Sequence, residues 1–182
     1  MAADDVPSMR ASRCGHEWET DEFAASEEAA ALYLRAHEMC TGDPPAYKVA
    51  LDILKQAIAA GSPRAAYALA SWYLPPGRVV EPDFAEARRL LLIAAKADIP
   101  EAHWDLGVMY EKGEGVDANE RTALEWFLRA AIRGDADAVY HVGVAYFYGD
   151  GVAADKKIAE IWLDRAEELG IDPETGDPTT TG

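Results

Sequence analysis

The sequence predicts an all-α protein, an α/α solenoid of about three to four helix-turn-helix repeats. Two observations carry that expectation. The heptapeptide YEKGEGV, Tyr110 to Val116, returns thirty-six residues later as YFYGDGV, Tyr146 to Val152. Around both copies, apolar residues recur three and four apart, the spacing of one helical face. A fixed period of this length marks stacked units that cannot bury their own apolar faces alone.

The copies can be taken in order. The first, residues 28–62, is degenerate, but its second half, ALDILKQAIAAG (Ala50 to Gly61), matches ALEWFLRAAIRG (Ala123 to Gly134). The second, 63–98, places Ala66, Ala70, Ser71, Ala87, Leu90, Ala94 and Ala95 in the same frame, with Ala50 and Ala87 spaced by 37. Its turn, LPPGRVVEP (Leu74 to Pro82), lacks the usual glycine joint and is expected to be reshaped.

The third copy, 99–134, aligns Ala102, Leu106, Met109 and Tyr110 on one face of a first helix. GEGV then ends that helix, because glycine takes the left-handed backbone at little cost. Asn119 or Asp117 can cap the second helix, which carries Ala123, Trp126, Phe127, Ala130 and Ala131 on one side and stops at Gly134. The fourth copy, 135–170, repeats the scheme through Ala138, Val142, Tyr146, Asp155, Ala159, Trp162, Ala166 and Gly170. Trp126 and Trp162 are expected in equivalent buried sites. Gly107 and Gly143 lie inside helices, where glycine costs about 1 kcal/mol against alanine. Close approach of the paired helix is the expected reason.

With 182 residues, one domain with tails is expected. Residues 1–25 read as a flexible acidic leader, 26–170 as the solenoid and 171–182 as a disordered tail, since both ends are acidic and poor in apolar residues. Formal net charge is −16. Nucleic acid and anionic membrane surfaces are therefore disfavoured, and a charged partner should be a protein with a basic surface. No apolar run reaches the roughly 18 residues of a membrane span, nor does the N-terminus read as a secretion signal, so cytoplasmic residence is expected. Cys14 and Cys40 are too few for a disulfide framework, which suits a reducing compartment. Cys14 with His16 is too sparse for zinc.

These motifs resemble the Sel1-like repeat, a relative of the tetratricopeptide repeat. AHWDLGVMYEKGEGV (Ala102 to Val116) follows the family's A-x-x-x-L-G-x-x-Y-x-x-G-x-G-V pattern throughout. AVYHVGVAYFYGDGV (Ala138 to Val152) follows it with Val142 for the leucine. The resemblance implies a right-handed solenoid whose first helices line a concave face, and a scaffold, adaptor or regulator that binds other proteins. Carried over position by position, Ala68 and Trp72 would face that groove. So would Glu101, Trp104, Val108 and Glu111, then Asp137, Tyr140, Val144, Phe147 and Tyr148. The aromatics among them sit away from the expected packing face and suit a partner interface. The cysteine pairs of secreted relatives are missing, so the enzymatic activity claimed for such members is not carried over.

Chemistry of its own is not expected. His16, His37, His103 and His141 share no nucleophile–base spacing with a serine or cysteine, and His103 with Asp105 or His141 with Asp137 read as neighbouring polar residues. The glycine loops lack the lysine and hydroxyl residue of a phosphate loop, and GDGVAAD (Gly149 to Asp155) lacks the ligand pattern of a calcium loop. No catalytic residue, cofactor or metal is expected. The expected function is a non-enzymatic protein-interaction module, with a dedicated inhibitor of a basic toxin as alternative. A groove that serves as an enzyme or small-ligand site stands further off. Oligomeric state is not legible.

Overall fold

The computed structural model describes residues 23–42, 45–75, 79–172 and 174–176. Among them lie eight helices: α1 (Glu27–Thr41), α2 (Tyr47–Ala59), α3 (Pro63–Tyr73), α4 (Phe84–Lys96), α5 (Pro100–Lys112), α6 (Glu120–Ile132), α7 (Ala136–Tyr148) and α8 (Lys156–Glu168). They fall into two compact units, within Met1–Ile99 and Pro100–Gly182. In the first, α1 packs on α2, α2 on α3 and α3 on α4; in the second, α5, α6, α7 and α8 follow the same order. The expected all-α repeat architecture is the one observed, and α1–α2 forms a helix pair like the others.

One backbone bond closes every pair. The N–H of Asn119 donates to the carbonyl of Tyr110 at 2.8 Å, Asp155 to Tyr146 at 2.8 Å and Asp83 to Tyr73 at 2.9 Å. Ala46 donates to Met39 in the same way at 2.7 Å. The LPPGRVVEP turn, whose residues 76–78 lie outside the described residues, thus shares the closure of the glycine joints. In the fourth pair Gly149 takes φ 88, the left-handed conformation expected at a helix end. Asn119, not Asp117, caps α6, its side-chain oxygen accepting from Thr122 N–H at 3.0 Å; Asp155 caps α8.

The second helices also end alike. Asp135 and Ile171 donate to the carbonyls of Ala130 and Ala166 at 3.2 and 2.9 Å, and Ser62 and Ile99 to those of Ala57 and Ala94 at 2.9 and 3.4 Å. Each bond spans a left-handed residue, which is glycine at 61, 134 and 170 but Asp98, φ 66, after α4. These i to i+5 bonds satisfy carbonyls that a helix end leaves open.

Small residues set the helix spacing. A Cβ at Gly107 would lie 2.5 Å from the ring of Phe127, and one at Gly143 2.8 Å from Leu163. Both glycines therefore sit where the paired helix leaves no room for a side chain. The tryptophans correct an expectation. Trp126 and Trp162 are only half-buried; on α6 it is Leu124 and Phe127 that pack with α7. Trp126 instead stacks on His103, ring centroids 5.6 Å apart, beneath the Arg129 guanidinium at 4.5 Å.

The described residues at either end of the helices contact the packed body. Ala25 N–H donates to the Gly61 carbonyl at 3.0 Å, and the Phe23 ring lies 5.1 Å from the Arg64 guanidinium. Residues 1–22, with Cys14, His16 and Trp18, lie outside the described residues. At the other end Ile171 is buried in the core of the second unit, so the packed body runs past residue 170. Residues 173 and 177–182 lie outside the described residues.

Candidate functional site: the α5–α7 face of the second unit

The proposed groove residues divide by burial. Trp72, Glu101 and Trp104 are 3%, 4% and 6% exposed, so none offers a surface to a partner. This corrects the expectation that the two tryptophans sit away from the packing face. Trp104 is a core residue, its ring centroid 5.0 Å from Phe127 and 4.8 Å from His141. Trp72, in the first unit, meets the edge of Tyr47 at 6.1 Å. Its neighbour on α3, Ala68, is buried too. Glu101 sits in the first turn of α5, where the positive end of the helix dipole favours a carboxylate.

The remaining positions reach solvent. Val108, Asp137, Tyr140 and Val144 are half-buried and Glu111 is exposed. Phe147 and Tyr148, at the end of α7, are 41% and 70% exposed. Their rings meet edge to face at 4.9 Å, and the Lys156 ammonium lies 5.3 Å from the Phe147 ring. Tyr140 is partly covered by the chain's own C-terminal segment, for a Cβ on Gly176 would lie 2.7 Å from its ring.

Beside these residues a cavity of about 60 Å³ opens between α5, α6 and α7. Leu124, Phe127, Val144 and Ala145 form its apolar part, and Glu111, Glu120 and Asp150 bring carboxylates to it. His141 also lines it, its Nδ1 3.7 Å from a Glu111 oxygen. That approach is longer than a closed hydrogen bond. The neighbouring His141 ring, with the Lys112 charge adding, draws the Glu111 carboxyl below the ordinary carboxylate range against the opposing effect of partial burial. Asp150 is held over the cavity by a tight backbone fit: at Gly151 a Cβ would lie 2.5 Å from the Glu120 backbone. With φ 71 as well, that position excludes any other residue without strain.

Of the cavity residues, the sequence singled out Glu111 and Val144 as groove positions and missed His141 as their companion. His141 was read with Asp137 on its own helix, whereas its carboxylate partner lies thirty residues earlier. No local periodicity reports such a pairing. The only sequence signal was that the repeat frame superposes His141 on Asp105, two polar residues at a first-helix position between apolar neighbours.

Two further titratable groups, His103 and Cys40, are buried. At His103 burial, aided by the Arg129 charge, pushes the pKa down to about 4. Burial pushes the free Cys40 thiol up to about 11, so little reactive thiolate forms at neutral pH. Among the described residues no group of three or more His, Cys, Asp or Glu is placed to hold a metal ion. None of their helices is long and apolar enough to cross a membrane.

The Sel1 repeat profile matches residues 63–99, 100–135 and 136–171, more than half of the chain. The chain is similar to a protective antigen of uropathogenic Escherichia coli with an SLR fold: 33% identity, TM-score 0.73, 79% of this chain and 31% of the antigen covered. A Sel1 repeat protein from Oxalobacter formigenes shares 37% identity at TM-score 0.60, over 66% of this chain and 90% of that one. A chitin synthase regulator of Saccharomyces cerevisiae is 38% identical over 85 residues, which is 46% of this chain but only 12% of the yeast protein. Helix pairing, joint chemistry and sequence agree: this chain belongs to the Sel1 repeat family.

Proposed function

We propose that this chain is a non-enzymatic, cytoplasmic protein-interaction module that binds a partner with a basic surface through the α5–α7 face of its second unit. The observation that carries the reading is the pair Phe147 and Tyr148, large aromatics left in solvent at the end of α7. Aromatic anchors beside carboxylates suit a protein partner. Glu111 and Asp137 supply charge, Val108 and Tyr140 apolar contact, and the buried Trp104 and Glu101 support the face from below. Trp72, buried in the first unit, has the same supporting place there. The net charge of −16 favours a basic partner, and the free thiol of Cys40 suits a reducing compartment. Membership of a repeat family that includes a similar regulator supports the same class of function. A dedicated inhibitor of a basic toxin is the narrower form of this reading.

The test begins with affinity capture from the native host and continues with the purified pair. Tyr148→Ala is expected to weaken binding roughly 30-fold, about 2 kcal/mol, with helical circular dichroism unchanged. Glu111→Lys should mainly slow association and flatten its salt dependence. Unchanged affinity in the Phe147→Ala, Tyr148→Ala double variant would move the interface elsewhere.

A further inference from the structure

We infer that the cavity between α5, α6 and α7 is a receptor for a single lysine side chain of the partner; this rests on the interaction reading above and specifies its chemistry. The cavity has two qualities that a basic side chain on a methylene stem matches. Its inner surface is apolar, built from Leu124, Phe127, Val144 and Ala145, and so accepts methylenes. Glu111, Glu120 and Asp150 line it as well, three carboxylates against one basic side chain, His141, whose Nδ1 lies 3.7 Å from Glu111. A lysine buries its stem and keeps its charged head among polar groups in this manner.

Size separates lysine from arginine. About 60 Å³ is twice the share of a water molecule in the liquid, room for a terminal methylene and an ammonium. A guanidinium has four coplanar heavy atoms and requires a wider slot. Two of the carboxylates have their places set by the fold: Glu111 lies beside His141, and the Gly151 contact with the Glu120 backbone fixes the loop that carries Asp150. An ammonium entering here meets charges already in place.

The experiment uses the full chain and a minimal probe, Nα-acetyl-lysine N-methylamide, followed in ¹H–¹⁵N spectra. Saturable shifts are expected at Leu124, Val144 and Ala145, with Kd in the millimolar range, about 4 kcal/mol. The Nε-acetylated, norleucine and arginine analogues should bind at least tenfold more weakly. Glu111→Gln with Asp150→Asn, both exposed positions, should lower affinity about tenfold or more. Val144→Phe, which fills the cavity, should abolish the shifts while circular dichroism stays helical. Equal response to norleucine or arginine, shifts spread over the acidic surface without saturation, or no shifts at all would each overturn the proposal. Since the probe is one amino acid, such a failure leaves the interaction reading to its own test at Tyr148. Conversely, lysine binding without any effect of Tyr148 on a purified partner would keep the cavity and sink the wider interface.

Discussion

The α5–α6 and α7–α8 pairs share one frame, yet they end in different surroundings. Leu124 and Ala131 of α6 belong to the core of the second unit, with half-buried Leu128 packed against it. Thirty-six residues on, α8 carries Glu160, Asp164 and Glu167, all exposed. The first helices differ as well: buried His103 in α5 stands where α7 has buried Val139. The repeated residues build the backbone pair, and the residues that vary record what lies on its outer side. A polar outer face is how a stack of helix pairs avoids displaying an apolar patch.

Exchanging the two faces should break the symmetry most strongly. Leu124→Glu, which puts the α8 residue under α7, is expected to destabilise by about 4 kcal/mol or more. Glu160→Leu, the reverse exchange, should change stability by about 0.5 kcal/mol or less. Urea unfolding of both variants decides the matter, and comparable losses would mean that the α8 face is covered.

The His103 and Val139 contrast should appear in pH dependence. The folded chain holds His103 neutral down to about pH 4, while the unfolded chain protonates it near 6.5. The unfolded state therefore binds the extra proton first, so stability is complete above pH 6.5 and falls as pH drops toward 4. The loss amounts to at most about 3 kcal/mol. His103→Val should remove that slope, seen as a wild-type-minus-variant difference in urea midpoint between pH 7 and 4.5. Parallel curves would place the imidazole in contact with water.

The two helix glycines sharpen the comparison further. At Gly107 a methyl would strike the ring of buried Phe127, whereas at Gly143 it meets the end of half-buried Leu163 and, at 3.2 Å, its backbone nitrogen. Alanine recovers about 1 kcal/mol of helix propensity in each case. Gly107→Ala should still lose about 1–2 kcal/mol, while Gly143→Ala should fall near zero. Thermal unfolding distinguishes them, and a reversed order would mean that the α5–α6 spacing yields more easily. The smallest effect is expected at Tyr148, where alanine should alter stability by about 0.5 kcal/mol or less because the ring packs on little but Phe147.

Sequence alone determined the helix pairs, their period, their joints and the glycines at close approaches. These features are local or strictly periodic: a glycine takes the left-handed backbone after each of α2, α6, α7 and α8, a capping side chain precedes α4, α6, α7 and α8, and a crowded face drops its Cβ. Burial of particular large residues was decided only by tertiary structure. Trp104 looked like a groove residue until α6 brought Phe127, and α7 His141, against its ring; Trp126 looked like core, yet on α6 it is Leu124 and Phe127 that pack with α7. The pairing of Glu111 with His141, and the cavity beside it, likewise required α7 to pack across its predecessors. A 3.6-residue period says which side of a helix is apolar, but not which neighbour will lie there, because that choice is made by contacts far apart in the chain.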